Sequence, residues 1–242
     1  EAEMAAGALP AVFLPASTLS RYSVILFDLD GTLADTAGDL AQALNRMREA
    51  RSLPAMSLER LRPHASAGAR GMLRAGFGLD PEHAEFEAMR TEFLDRYGQD
   101  LMGTTVLFPG IAELLASIEA AGLRWGIVTN KPERFTLPVL RGLELLDRAA
   151  CVISGDSTPH PKPHPAPLQK ACTDLRETPR ACLYVGDDER DVISARAAGM
   201  DVMIAQYGYL GENSHPEAWG ADGMVQSAWE LAEIIGVERE AV

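Results

Sequence analysis

The apolar run Val24-Ile25-Leu26-Phe27 ends directly in Asp28-Leu29-Asp30-Gly31-Thr32. Four consecutive large apolar residues suit a strand covered on both faces, as in parallel sheets. Two carboxylates at the end of such a strand are costly unless a cation, a metal or a proton meets them. Alternation along the extended chain aims Asp28 and Asp30 to the same side, and Gly31 permits a sharp turn beside them. Asp-Gly is also an ordinary surface-turn signal. The segment alone therefore leaves two readings open: a solvated turn, or an oxygen-rich site holding Mg2+ against a phosphate.

Similar short apolar runs recur at residues 125–128, 151–153, 182–185 and 202–205, each stopping at polar or glycine residues. Helical patterns lie between them. Ile111, Leu114, Leu115 and Ile118 line one helix face behind the start signal Pro109-Gly110, and residues 191–198 stop at Gly199. Strands alternating with helices predict an α/β fold with a parallel sheet covered on both sides. The interval from Asp35 to Leu107 differs. Leu40, Leu44 and Met47, then Leu58 and Leu61, Met72 and Leu73, and Phe86, Met89, Phe93 and Leu94 follow helical spacing without a strand between them. This predicts a helical insertion over residues 36–106, a main unit formed by residues 21–35 and 107–242, and a loose N-terminal extension over residues 1–20.

The formal net charge of −13 argues against general nucleic-acid binding, which needs broad phosphate neutralisation. A small anionic substrate remains compatible if local cations and a metal reverse the field inside one cleft. Cys151, Cys172 and Cys182 have no metal-ligand spacing and read as reduced thiols, which suits a cytoplasmic protein. No apolar stretch reaches membrane-spanning length. Residues 5–20 are weakly apolar, but Pro10, Pro15 and the lack of a preceding Lys or Arg make a poor signal peptide. A monomer or a homodimer is expected.

Four short signals occur in order at predicted strand ends: Asp28-x-Asp30, Thr129-Asn130, Lys162 within Lys162-Pro163-His164-Pro165, and Gly186-Asp187-Asp188-Glu189-Arg190-Asp191. In an open α/β sheet these ends line one crevice. Their chemistry is complementary. Asp28 can attack phosphorus to give an aspartyl-phosphate, while Asp30 protonates the leaving alcohol and then deprotonates the hydrolytic water. The Thr129 hydroxyl and the Asn130 backbone N–H can donate to the transferring oxygens, and Lys162 adds a charge where negative charge crowds. Mg2+ would take oxygens from Asp28, from the Asp30 carbonyl and from Asp187. Asp191, one helical turn further on, can orient Lys162 or a metal-bound water. Singly, Thr129 and Lys162 read as a strand-end hydroxyl and a solvated cation, and residues 187–191 as a helix cap with first-turn acids. Together and in this order they point to one phosphoryl-transfer site.

These four motifs strongly resemble those of the haloacid dehalogenase superfamily of phosphatases, over a match from about Tyr22 to Met224. The resemblance implies a Rossmann-like, doubly wound parallel sheet, an alpha-helical cap where the insertion lies, Mg2+ dependence and an aspartyl-phosphate intermediate. Asp30 argues against the dehalogenase branch, which lacks this second aspartate. Ser66-Ala67-Gly68-Ala69-Arg70, Trp125-Gly126-Ile127-Val128-Thr129-Asn130-Lys131-Pro132, Tyr207-Gly208-Tyr209 and Trp219-Gly220-Ala221-Asp222 resemble the phosphoglycolate phosphatase group. They also resemble bacterial N-acetylmuramic acid 6-phosphate phosphatases.

Substrate choice is expected in the cap. The glycine-rich segment 64–74 offers Arg70 to a substrate carboxylate; Arg74 is expected to face water. Lys131 is a further candidate for substrate contact. Hinges are expected at residues 34–37 and 104–108. Three other readings compete. A phosphorelay receiver would place its acidic pair before the phosphorylated aspartate and needs no cap. A phosphomutase would require a bisphosphate, and a silent binding protein would not keep every catalytic position. The expected function is hydrolysis of a small phosphorylated metabolite.

Overall fold

The strand that carries the acidic pair, β1 (Val24–Phe27), is buried along its whole length. In the computed structural model, which describes residues 21–211 and 214–238, it lies inside a six-stranded parallel sheet. The expected N-terminal extension lies outside the described residues. The other strands are β4 (Arg124–Val128), β5 (Val152–Ile153), β6 (Cys182–Gly186), β7 (Asp201–Ala205) and β8 (Gly223–Val225), in the order β5-β4-β1-β6-β7-β8.

Alternation along β1 explains why both faces are covered. Ile25 and Phe27 enter one core with Ile111, Leu114 and Leu115 of α5 (Ile111–Ala120) and Leu231 of α9 (Ala228–Ile235). Val24 and Leu26 enter the other with Leu168 and Ala171 of α7 (Ala166–Leu175) and Val192 and Ala195 of α8 (Glu189–Ala198). Phe27 is in register with Ile127 of β4 and Val185 of β6, so three carboxyl ends stand side by side. The chain runs outward from β1 in both directions, which makes this the switch point where such sheets open a crevice.

Between β1 and α5 the chain leaves the sheet. It forms α1 (Ala37–Glu49), α2 (Leu58–Leu61), a 3-10 turn (Arg62–Ala67), α3 (Gly68–Phe77) and α4 (Phe86–Gly98). Leu44, Met47, Met72, Leu73 and Phe93 are fully buried among these helices. The sequence shows no strand here, yet the insertion is bracketed by two: β2 (Ala34–Asp35) pairs antiparallel with β3 (Val106–Leu107). Two residues are too few to show an alternating pattern, so the ribbon leaves no periodic trace. Buried Asp39 of α1 ties the crossings together by accepting from Thr104 N (2.8 Å), Thr104 Oγ1 (2.8 Å), Thr105 N (3.0 Å) and Thr105 Oγ1 (2.7 Å). Among the described residues, no helix is long and apolar enough to cross a membrane.

Candidate active site

Just past β1, Asp28 still donates its backbone N–H to the Val185 carbonyl at 2.9 Å and turns its carboxylate into the crevice. Its Oδ1 accepts from Leu29 N at 2.7 Å and lies 3.0 Å from Lys162 Nζ. Lys162 is 3% exposed, so its charge must be met within the protein. The ammonium is met by Asp191 Oδ1 at 2.7 Å, the Tyr184 hydroxyl at 2.7 Å and the Val128 carbonyl at 3.0 Å. Burial alone would pull the Lys162 ammonium down; Asp191 and then Asp28 outweigh it and hold it above its ordinary range.

The loop carrying Lys162 is fixed by Asn130. The Asn130 side chain donates to the Lys162 carbonyl (2.8 Å) and accepts from its N–H (2.9 Å). The expected donor from this residue was its backbone; its amide side chain has this further task. Thr129 is buried at the end of β4, where its hydroxyl accepts from Lys131 N at 3.2 Å. Lys131 borders the cavity, but its ammonium is committed to Asp30 Oδ1 at 2.9 Å. The same oxygen accepts from Thr36 Oγ1 at 2.5 Å. Burial opposes the charge on Lys131, and Asp30 outweighs it, so Lys131 is held above its ordinary range.

Asp28, Asp187 and Asp191 each offer an oxygen within 4.8 Å of the others, and all three are buried. Burial, and then the charges of Asp28 and Asp191, push the Asp187 carboxyl well above the usual range. Asp28 is pushed up to about 6, first by burial, with Lys162 opposing and Asp191 and Asp30 adding to the rise. Three hard oxygen donors crowded against their own repulsion suit a divalent cation such as Mg2+. Gly31 makes room for them: at its φ of +85° a Cβ would lie 2.1 Å from Asp187 Oδ2. Asp191 is already engaged, with Oδ1 on Lys162 and Oδ2 accepting from Asp188 N at 3.1 Å. Of its two expected tasks, these contacts favour orienting Lys162. Asp188 caps α8 and pairs with Arg190.

The crevice opens into a cavity of about 650 Å3, walled by Phe93, Leu94, Tyr97 and Phe135. Its deep cations are compensated: Lys162 by Asp28 and Asp191, Lys131 by Asp30, Arg190 by Asp188. Arg70 and Arg134 also line the cavity, and among the described residues neither has an acidic partner. Arg134 rests on the Phe135 ring at 4.6 Å. Arg74 pairs with Asp80 at 3.6 Å, away from the cavity wall.

The model of the haloacid dehalogenase-like hydrolase family matches residues 25–205. The chain belongs to this family. A relative named N-acetylmuramic acid 6-phosphate phosphatase, from Pseudomonas putida, is 45% identical over 215 residues, 89% of this chain and 96% of the relative. A phosphoglycolate phosphatase from Xanthomonas campestris is 44% identical over 211 residues, covering 86% and 94%. The crystal structure of a predicted phosphoglycolate phosphatase from Haemophilus somnus aligns with a TM-score of 0.77 at 28% identity, covering 88% of this chain and 97% of that one.

Several residues of this haloacid dehalogenase-like site escape sequence reasoning. Tyr184 sits inside an apolar strand run and reads as core, yet its hydroxyl donates to the Val128 carbonyl at 2.8 Å and accepts from Lys162. Tyr209 serves two places: its N–H donates to Asp187 Oδ2 at 2.8 Å, and its hydroxyl accepts from Thr36 N (2.8 Å) and Ala37 N (3.0 Å) at the crossing into α1. Arg190 reads as a first-turn surface cation but donates to the Ser66 carbonyl of the inserted helices at 2.9 Å. The available signal was a polar tip on an apolar body within a site-bearing segment.

Proposed function

We propose that the protein is an Mg2+-dependent phosphomonoester hydrolase whose substrate carries a carboxylate, with N-acetylmuramic acid 6-phosphate as the favoured substrate. The observation that carries the reading is the buried contact of Asp28 with Lys162, with Asp30 beside it and Asp187 facing it. Asp28 attacks phosphorus as the bond to the leaving oxygen breaks, and Asp30 gives that oxygen a proton. Asp30 then takes a proton from water, which attacks phosphorus and frees Asp28. Thr129, the Asn130 N–H and Lys162 stabilise the transferring oxygens. Asp28, the Asp30 carbonyl and Asp187 would hold Mg2+, which when bound supplies positive charge to the phosphoryl oxygens. Residues 36–106 act as a cap that excludes water, hinged at residues 34–37 and 104–108. The setting is the cytoplasm.

A sugar acid fits the breadth and aromatic lining of the cavity, and Arg70 and Arg134, which have no acidic partner among the described residues, supply cations for its carboxylate. 2-Phosphoglycolate is the second reading, favoured by the 44% identical relative of that name. Phosphate release from N-acetylmuramic acid 6-phosphate, N-acetylglucosamine 6-phosphate and 2-phosphoglycolate, with Mg2+ and with chelator, tests both. The two sugars differ in the carboxylate-bearing ether. The expected result is Mg2+-dependent release with the highest kcat/KM for the acidic sugar; no release from any of the three overturns the reading. Arg70→Ala should raise KM for the acidic sugar about tenfold or more, the size of a lost charged hydrogen bond, and leave the neutral sugar nearly unchanged. Equal effects on both sugars would remove Arg70 from the carboxylate site.

The Mg2+ reading has a separate test in stability. Asp28 titrates at about 6 when folded against 3.8 when free, so the folded state holds the extra proton between these values. Stability from this group therefore falls as pH rises through that window. A cation removes that penalty where the carboxylates are charged. Saturating Mg2+ should raise Tm by about 5–10 °C at pH 7.5, from the linkage of a bound ligand and the usual Tm response of a chain this long. The gain should shrink below pH 6. An equal gain at pH 5 and 7.5, or none, would count against this acidic cluster as the metal site.

A further inference from the structure

Three observations meet at Tyr97 of α4. The residue is 2% exposed, and its hydroxyl is closed off from solvent. Its ring centre lies 4.6 Å from the Lys131 ammonium, which in turn holds Asp30 at 2.9 Å. The ring also meets Phe135 of α6 (Glu133–Gly142) edge-on at 5.4 Å. Tyr97 comes from the inserted helices, whereas Asp30, Lys131 and Phe135 belong to the sheet-bearing part. Opening of the insertion would break these contacts together.

Tyr97 lines the same cavity as Asp28 and Asp30. A desolvated ammonium lacks the water that would otherwise hold it, and an aromatic ring over it supplies that contact. We propose that Tyr97 is a positioning residue through which the inserted helices set Asp30: its ring presses the Lys131 ammonium onto Asp30. This rests on the reading of Asp30 as the proton-handling group. It gives closure a chemical consequence beyond excluding water, because the Lys131 ammonium on Asp30 is backed by the ring only when the two parts meet.

The test is a kinetic double-mutant cycle on the full chain with N-acetylmuramic acid 6-phosphate and the small ester p-nitrophenyl phosphate. Tyr97→Phe keeps the ring and should hold kcat within about twofold of wild type on both esters, because the ring contact persists. Tyr97→Leu should lower kcat on both esters by about tenfold, the scale of a desolvated cation–π contact. In a Lys131→Met background, Tyr97→Leu should cause no further loss of kcat, because the link is already gone. Multiplying effects on kcat, a Tyr97→Leu enzyme with wild-type kcat, or a Tyr97→Phe enzyme that loses as much as Tyr97→Leu overturns the assignment. Should Tyr97→Leu fail to fold, Tyr97→Met takes its place in the same cycle with the same results required. An inactive wild-type enzyme, or an Asp30→Asn variant with full activity, would instead remove the underlying hydrolase reading.

Discussion

Asp28→Asn is expected to lower phosphate release by at least about four orders of magnitude, as loss of a nucleophile does in enzymes that form covalent intermediates. The amide has nearly the shape of the carboxylate and keeps an oxygen to accept from Leu29 N, the contact now 2.7 Å long. It carries no charge with which to attack phosphorus. The fold should survive, and without Mg2+ it should gain. Asp28 is 8% exposed and stands beside Asp187 and Asp191, and its folded pKa of about 6 means that ionisation near neutral pH costs stability. The amide avoids that cost. The Tm of Asp28→Asn relative to wild type should therefore rise as pH goes from 4 to 7, the window between the free and folded values. Phosphate assays with Mg2+ and melting curves without it check the two halves. Appreciable turnover by a variant proven free of deamidation would remove Asp28 as nucleophile, whatever the melting curves show.

The place of Asp28 was legible because it lies in one continuous signal, an apolar strand followed by its acids. The same holds for Thr129, Lys162 and Asp187, each at the end of a recognisable run, and for the helical insertion, whose apolar spacing is long enough to read. What the sequence conceals is which charge faces which. Lys131 follows Thr129 by two residues and invites assignment to phosphate, but its acid is Asp30, 101 residues earlier in the chain. Asn130 looks like a backbone donor; its side chain is seen to brace Lys162 only once the two loops are adjacent. Tyr184 and Tyr97 carry apolar periodicity, so their hydroxyls are hidden by the pattern that locates their rings. Local periodicity determines elements, whereas pairings across the crevice depend on how those elements are brought together.

Lys162→Met is expected to damage stability and catalysis together, which separates it from Asp28→Asn. The methionine side chain has similar length, so packing is roughly preserved while the charge is lost. Asp191, whose side chain is 2% exposed, then loses the cation 2.7 Å away, and Asp28 loses its neighbour at 3.0 Å. Removing one partner of a buried pair costs about 3–5 kcal/mol, because the remaining charge stays desolvated. For a chain of this length each kcal/mol moves Tm by about 2–4 °C, so a drop of about 6–20 °C is expected at pH 7–9. Turnover should fall as well, since in the proposed mechanism the ammonium stabilises the transferring oxygens. Lys162→Arg should rescue little: the ammonium sits in a slot bounded by Val128, Tyr184, Asp191 and Asp28, where a planar guanidinium has no room. The pH dependence identifies the cause. Because the folded Lys162 ammonium is held above its free value of 10.5, its stabilisation is complete below that value and fades as pH rises through the folded one. The gap between wild type and Lys162→Met should accordingly narrow in strong alkali; a gap that stayed constant there would assign the loss to packing of the alkyl stem.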